Sequence, residues 1–153
     1  VSDRLHEGLF EVQLSARLKD TPAIIVHGRS DTLVPVNHAS RAYYGKNQLT
    51  AKGATQLRYI EVTNAQHFDA FIDSLPGYNT LYVPLHVYLQ RALTAMYDHL
   101  KKGTPLPPSQ VVRTTPRGAG GPQITPANVP PILANPPAGD LIVMEKRTLV
   151  IPD

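Results

Sequence analysis

A short apolar run, Ala23-Ile24-Ile25-Val26, constrains the fold more than any other stretch of the sequence. Pro22 precedes the run and Gly28 closes it. It is rich in β-branched residues and has no polar position, which predicts a strand buried on both faces. Such strands occur in parallel sheets covered by helices, so the run predicts an α/β fold. The polar loop that follows carries one carboxylate, Asp31, at the edge of the sheet where α/β proteins bind ligands.

Amphipathic segments on either side of the run predict the helices that an α/β fold requires. A helix over residues 2–19, capped by Ser2 or Asp3, is predicted by the spacing of Leu5, Leu9, Val12 and Ala16. Asn37 is a favourable N-cap for a second, shorter helix that runs from His38 to Asn47. These two helices flank the apolar run as they would in a parallel sheet.

A second strand and a third helix complete the predicted α/β portion. Leu57–Val62 has the composition of a strand, and the polar loop after it contains His67. Pro84 at the first helical position and Gly103 just past the last turn bound the third helix. Its apolar stripe consists of Leu85, Leu89, Ala92, Leu93, Met96 and Leu100. Since parallel strands point the same way, the loops after both strands are expected at one edge of the sheet.

The last third of the chain differs sharply in composition. Residues 104–140 hold ten of the 15 prolines and four of the 10 glycines. This density predicts an extended segment without regular elements, laid across the domain or loose. Residues 141–153 then predict a small hairpin. The chain therefore divides into an α/β portion at 1–103, the extended segment at 104–140 and a terminal hairpin at 141–153.

Composition limits the classes of function. The net charge of +3 comes from 15 basic and 12 acidic residues that are spread along the chain, which argues against a nucleic-acid partner. No apolar stretch reaches the roughly 18 residues of a membrane-spanning helix, and no signal-peptide pattern begins the sequence. We therefore expect no membrane partner, and a chain that is mature or a piece of a longer protein. Because cysteine is absent, disulfides and thiolate chemistry are excluded.

Asp31 and His67 form the pair of residues that most strongly suggests catalysis. They follow the first and the second predicted strand, so their loops should meet. A carboxylate that accepts the Nδ1 proton of a histidine fixes its tautomer and stabilises the imidazolium, as general-base catalysis requires. The competing interpretation is structural: Asp31 closes an Asx-turn, and His67 caps a helix that starts near Phe68. Asp69 and Asp73 are weaker candidates for the acid.

The order of these elements matches the later part of an α/β-hydrolase. There the nucleophilic serine comes first, then the acid and then the histidine, with a long helix at the end of the domain. Ser30 is not that nucleophile, because Thr32 replaces the second glycine of G-x-S-x-G and Pro35 interrupts the helix that should follow. We interpret Ser30 as a turn residue.

Two other kinds of site are less well supported by the sequence. His27, Asp31, His67 and Asp69 could be drawn together as metal ligands, but they show no zinc-binding spacing, and His27 is expected to pack locally. A non-catalytic binding module is a further alternative, although the chain has no glycine-rich loop that would cradle a phosphate. We predict no metal and no cofactor.

Several longer runs resemble one family of enzymes. IIVHGRSDTLVPVNHASRAYYG, YIEVTNAQHFDAF, VPLHVYLQRAL, MYDHLKKG and especially PLPPSQVVRTTPRG are similar to the C-terminal portion of the D-(−)-3-hydroxybutyrate oligomer hydrolases. This resemblance extends over essentially the whole chain. It implies the C-terminal part of an α/β-hydrolase fold, in which Asp31 is the triad acid and His67 the triad histidine.

The resemblance also implies a reaction and a setting. The family consists of longer serine esterases that cut 3-hydroxybutyrate oligomers to monomers after polyhydroxybutyrate depolymerases have acted, generally outside the cytoplasm. We therefore expect an ester substrate, a secreted or periplasmic enzyme, and a nucleophilic serine on an N-terminal portion of the same enzyme. This chain alone should be inactive, because it has no G-x-S-x-G. Another acyl ester, of feruloyl or tannin type, is the alternative substrate.

Overall fold

A three-stranded parallel sheet forms the centre of the computed structural model, which describes residues 2–52 and 54–153. The strands β1 (Ala23–Gly28), β2 (Leu57–Val62) and β3 (Gln110–Val112) lie side by side in that order. A separate antiparallel hairpin consists of β4 (Val143–Glu145) and β5 (Thr148–Val150). The parallel sheet confirms the predicted α/β class, and the terminal hairpin is present as predicted.

In residues 2–52 and 54–153, four α-helices connect or cover these strands, and three isolated turns of 3₁₀ helix lie between the elements. None of the helices in the described residues is both long enough and apolar enough to cross a membrane. The α-helices are α1 (Ser2–Val12), α2 (Ser40–Ala51), α3 (Tyr78–Leu81) and α4 (His86–Lys102), and the 3₁₀ turns are Val36–His38, Asp69–Phe71 and Ala138–Asp140.

The core lies on both faces of β2, the central strand, in which five of six residues are buried. Because side chains alternate along a strand, Leu57 and Tyr59 share one face and Ile60 and Val62 share the other. The first face packs with Tyr44 of α2, Val111 and Ile142. The second face packs with Tyr88 of α4, Val83, Val112 and Val129. The molecule is therefore layered, with α2 and the hairpin on one side of the sheet and α4 with the proline-rich segment on the other.

The strand β1 is less buried than its sequence predicts. Residues 23–27 are only partly buried, and Gly28 alone is fully buried. β1 pairs with β2 on one side only, and no other strand of the described residues pairs with its outer edge. Both faces of β1 contact the core, Ile24 and Val26 on one side and Ala23 and Ile25 on the other, so the predicted packing on both faces is confirmed. The burial is incomplete because β1 is an edge strand of the sheet.

The two N-terminal helix predictions need correction at their ends. α1 ends at Val12 instead of residue 19, since Ala16 adopts a left-handed conformation (φ 57°) that a helix cannot include. Ala16 is buried, and its carbonyl accepts a hydrogen bond from Asn47 Nδ2 at 2.8 Å. α2 begins at Ser40, because residues 36–38 form a 3₁₀ turn. Asn37 is therefore not an N-cap, and its Oδ1 instead accepts from Arg41 Nη1.

The helix α4 is present, but its buried face differs from the predicted stripe. It ends as predicted at Gly103, which has a left-handed backbone (φ 71°), and it begins at His86, so that Pro84 lies outside it. Tyr88 and Ala92 are the buried residues of the helix. Three leucines of the predicted stripe are mostly exposed, namely Leu89, Leu93 and Leu100 at 52%, 60% and 66%.

The proline-rich segment contains regular structure, contrary to the prediction. Residues 109–115 are free of proline, and β3 forms there, with Ile60 of β2 beside Gln110. The turn at Ala138–Asp140 is a second regular element. The intervening segment is extended and bound to α4, since Tyr88 Oη and Arg91 Nη1 both donate to the carbonyl oxygen of Pro130 at 3.0 and 2.7 Å. The segment thus lies across the domain instead of hanging loose.

Candidate active site

The structure brings Asp31 and His67 into direct contact. His67 Nδ1 donates to Asp31 Oδ2 at 2.5 Å, across 36 residues of sequence. Asp31 lies in the loop of residues 29–35 after β1, which we call the acid loop, and His67 lies in residues 63–69 after β2, which we call the histidine loop. The two loops meet because β1 and β2 are adjacent and parallel.

Asp31 is buried and its second oxygen is also engaged. Asp31 Oδ1 accepts from the backbone N–H groups of Leu33 at 3.1 Å and Val34 at 2.9 Å. Burial raises the pKa of Asp31, but the hydrogen bonds from Val34 and His67 outweigh this effect and hold the pKa below the ordinary value of 3.8. The predicted Asx-turn is therefore present as well: one oxygen closes the turn and the other orients the histidine.

The side chain of His67 is only partly buried. Its side chain is 35% exposed, and its ring packs against Phe68 with ring centroids 3.7 Å apart. The 3₁₀ turn that starts at Asp69 receives no side-chain cap, so the predicted capping role of His67 is wrong. When Nδ1 donates to a carboxylate, the neutral ring keeps an unprotonated Nε2 that can accept a proton.

A glycine allows the two loops to approach so closely. A side chain at Gly28 would overlap the backbone of Ala65, since an added Cβ would sit against the carbonyl group there. Two hydrogen bonds seal this contact: Arg29 N donates to Val62 O at 2.7 Å and Ser30 N donates to Ala65 O at 3.0 Å. Gly28 is therefore needed at this position for close approach of two backbones.

The proline-rich segment binds the first residues of the histidine loop. Thr114 Oγ1 donates to Thr63 O at 2.5 Å, and Thr114 N donates to Thr63 Oγ1 at 2.8 Å. Asn64, which has a left-handed backbone (φ 51°), donates from Nδ2 to Thr114 O at 2.9 Å. Residues of β3 and its extension thus fix the start of the loop that carries His67.

The weaker candidates of the sequence occupy structural positions. Asp69 accepts from the backbone N–H groups of Leu85 and His86 and so binds the start of α4, and Asp73 pairs with Arg117 at 2.7 Å. Ser30 lies in a turn, as predicted. No cluster of three potential metal ligands occurs among the described residues.

A buried charged cluster beside the acid loop was not predicted from the sequence. Glu61, fully buried on β2, accepts from Arg29 Nε at 2.5 Å, from Arg41 Nε and Nη2 at 2.8 and 2.6 Å, and from Tyr59 Oη at 2.6 Å. Burial raises the pKa of Glu61, but these hydrogen bonds, led by that from Arg41, outweigh it and lower the pKa below 4.5. A charged residue inside the apolar strand Leu57–Val62 was the available signal.

These features define a class of protein: an α/β protein in which a buried carboxylate orients a histidine at the ends of two adjacent parallel strands. The family model described as 3HB-oligomer hydrolase matches residues 1–153. The chain therefore belongs to the 3HB-oligomer hydrolase family, which confirms the resemblance found in the sequence.

Curated relatives agree with this membership. The chain is 59% identical to the D-(-)-3-hydroxybutyrate oligomer hydrolase of Azoarcus sp. (strain BH72) over 155 residues, which cover 97% of this chain and 22% of that protein. It is 55% identical to the protein of the same name from Paracidovorax citrulli (strain AAC00-1), covering 98% of this chain and 22% of the relative. The chain thus spans about a fifth of the length of these relatives. No solved structure gives a significant match.

Proposed function

We propose that this chain is the segment of a 3-hydroxybutyrate oligomer hydrolase that supplies the acid and the histidine of a serine esterase. The observation that carries the proposal is the 2.5 Å hydrogen bond between His67 Nδ1 and the buried carboxylate of Asp31. Both residues lie at the ends of adjacent parallel strands, which supports the C-terminal part of an α/β-hydrolase fold. Asp31 is the acid and His67 the general base.

The chemistry follows from the orientation of the ring. A serine hydroxyl attacks the ester carbonyl while His67 Nε2 takes its proton, and Asp31 stabilises the imidazolium that results. The same proton then passes to the 3-hydroxyl oxygen of the leaving unit as the ester C–O bond breaks. Water, deprotonated by His67, next attacks the acyl-serine, and His67 returns that proton to the serine oxygen as the acyl C–O bond breaks and the second product leaves.

The attacking serine belongs to another part of the longer protein. The 153 residues contain no G-x-S-x-G motif, and the relatives are about five times as long as the chain. The outer edge of β1 and the exposed apolar residues of α4, Leu89, Leu93 and Leu100, are surfaces that this other part would cover. The N-terminal portion of the same enzyme is thus the partner we propose, and the chain alone should be inactive.

We base the proposed substrate on the names of the relatives and the proposed location on the family resemblance. Proteins 53–59% identical to this chain carry the name D-(-)-3-hydroxybutyrate oligomer hydrolase, so we propose soluble 3-hydroxybutyrate oligomers as the substrate. Members of the resembling family generally act outside the cytoplasm, and we propose a secreted or periplasmic location. Fractionation of cells that express the complete protein tests the location.

The experiment that tests the catalytic pair uses the complete protein and the hydrolysis of 3-hydroxybutyrate dimer or trimer. Asp31→Asn should lower kcat by about 10⁴-fold and His67→Ala by at least that much, since the base is mispositioned or lost. Asp73→Asn is the matched control, because Asp73 is exposed and pairs with Arg117, and it should retain wild-type activity. Near wild-type rates for both Asp31→Asn and His67→Ala would exclude the assignment.

The substrate is tested separately from the pair. Rates on 3-hydroxybutyrate trimer should exceed those on feruloyl and galloyl esters in the same complete protein. Should the order be reversed, the catalytic pair would stand and the proposed substrate would be wrong.

A further inference from the structure

A chain of hydrogen bonds runs from the acid loop to the buried carboxylate of Glu61. His27, the next-to-last residue of β1, contacts Val34 O through Nε2 at 3.0 Å and Ser40 Oγ through Nδ1 at 2.7 Å. Ser40 Oγ lies 2.9 Å from Tyr59 Oη, and Tyr59 Oη donates to Glu61 Oε2 at 2.6 Å. His27 Nε2 also lies 3.7 Å from Asp31 Oδ2.

The number of protons available to these hydrogen bonds decides the charge of His27. The four contacts need one proton each. Ser40 and Tyr59 supply one proton apiece, and a neutral imidazole supplies only one more. Glu61 supplies none, because its two oxygens already accept from two guanidinium groups. All four hydrogen bonds can form only when both nitrogens of His27 carry protons.

The acceptors at the two ends of this hydrogen-bond chain, Val34 O and Glu61, fix the direction of each hydrogen bond. A carbonyl oxygen only accepts, so His27 Nε2 must donate to Val34 O. The ionised Glu61 only accepts, so the Tyr59 proton points to it and Ser40 must donate to Tyr59. Ser40 Oγ is then an acceptor toward His27, which must donate from Nδ1.

The charged groups around His27 favour the same state. On the side of the acid loop, His27 faces the carboxylate of Asp31. On the side of β2, it faces the Tyr59–Glu61 pair through Ser40 of α2. The guanidinium groups of Arg29 and Arg41 are both bound to Glu61. An imidazolium ring at this position therefore meets a carboxylate directly and has no unsatisfied N–H.

We propose that His27 is a second histidine of the site, protonated on both ring nitrogens, which positions Asp31 and the acid loop for His67. The role of His27 in the reaction rests on the proposed function, whereas its charge does not. Its Nε2–H holds the carbonyl of Val34, whose own N–H binds Asp31 Oδ1. Its positive charge, 3.7 Å from Asp31 Oδ2, keeps that carboxylate ionised while His67 accepts and returns a proton.

The charge is tested by ring ¹⁵N NMR of the complete protein with labelled histidine, near neutral pH. The His27 signals are assigned by their loss in His27→Gln. We expect two protonated ring nitrogens for His27 in the wild type. A ring with one protonated and one unprotonated nitrogen would overturn the proposal, and the result does not depend on whether the protein hydrolyses esters.

Removing one hydroxyl group from the hydrogen-bond chain gives a second test. Tyr59→Phe leaves the Ser40 proton free to point at His27, so His27 should become neutral in this variant. Ser40→Ala removes the acceptor of the Nδ1 proton and should have the same effect. Ser74→Ala, at an exposed serine whose hydroxyl donates to the carbonyl of Ala70, is the matched control and should leave both His27 nitrogens protonated. An unchanged imidazolium in both Tyr59→Phe and Ser40→Ala would contradict the proposed chain.

The positioning role is tested by kinetics. His27→Gln can still donate to Val34 O but carries no charge, and kcat on the trimer should fall by tenfold to about 10²-fold, with KM little changed. His38→Gln, at an exposed histidine of the neighbouring turn, should be as active as the wild type. A wild-type kcat for His27→Gln would overturn the positioning role. If His67→Ala were also fully active, the proposed function itself would have failed.

Discussion

The acid loop and the histidine loop each carry one half of the candidate site, and they are held by different parts of the molecule. The acid loop follows an edge strand and is bound through Arg29 to the buried carboxylate of Glu61. The histidine loop follows the central strand and is bound by neutral hydrogen bonds to Thr114 of the proline-rich segment. Charged hydrogen bonds thus stabilise the loop that follows the incompletely covered strand, whereas neutral hydrogen bonds stabilise the loop that the proline-rich segment covers.

The largest loss of unfolding free energy is expected for a change at Glu61, the carboxylate that binds the acid loop through Arg29. Glu61→Gln leaves two guanidinium groups without a carboxylate partner, and removal of one partner of a buried ion pair costs about 3–5 kcal/mol. Arg29 and Arg41 are 22% and 25% exposed and can be partly hydrated, which places the expected loss near the lower end. Urea unfolding of the complete protein measures this loss, with Glu145→Gln, at an exposed position of the hairpin, as the control.

The same variant makes a prediction about pH. The folded-state pKa of Glu61 lies below 4.5, so its ionised form contributes stability above pH 4.5, and this contribution is lost as the pH falls through the lowered pKa. The difference in unfolding free energy between the wild type and Glu61→Gln should therefore be full near pH 7 and shrink below pH 4.5. A difference that stays constant into acid would contradict the role of the ionised carboxylate.

The contact between the two loops should be the next most sensitive position. Gly28→Ala forces a Cβ against the carbonyl of Ala65, so the backbones must separate, and overpacking of this kind costs about 1–3 kcal/mol. Hydrolysis should fall as well, because Asp31 and His67 move apart. Gly8→Ala, in a helix with open space at that position, should be neutral or stabilising. Equal stabilities of the two variants would mean that the loops do not need this close approach.

The histidine loop should respond to changes in the proline-rich segment. Thr114→Val keeps the shape of the side chain but removes the hydroxyl that donates to Thr63 O, at a cost of about 1–2 kcal/mol in unfolding free energy. Thr114→Ser retains the hydroxyl and should cost less. If both variants were as stable as the wild type, the segment would cover the loop without holding it.

Sequence reasoning succeeded where the signal is local. An apolar strand followed by a polar loop, repeated once, was enough to predict the parallel pair and the meeting of Asp31 with His67. The charged cluster could not be predicted, because Glu61 meets Arg29 and Arg41 across 32 and 20 residues, and no periodicity reports that convergence.

Two errors in the predicted fold arise because contacts between distant parts of the chain decided the structure. β3 is only three residues long and pairs with Ile60, 50 residues earlier, so the prolines around it dominated the prediction. α4 carries apolar residues on more than one face, and the spacing of its leucines does not decide which face is buried. The face with Tyr88 and Ala92 is buried because the proline-rich segment packs there.

The smallest expected effect distinguishes an edge strand from a covered one. Ile24 of β1 and Ile60 of β2 contact the same core cluster, but Ile24 is only partly buried and Ile60 is fully buried. Ile60→Val should cost about 0.5–1.5 kcal/mol in the complete protein. If the rest of that protein covers the outer edge of β1, as we propose, Ile24→Val should cost the same. A near-zero cost for Ile24→Val beside a normal cost for Ile60→Val would mean that β1 remains an edge strand in the complete protein.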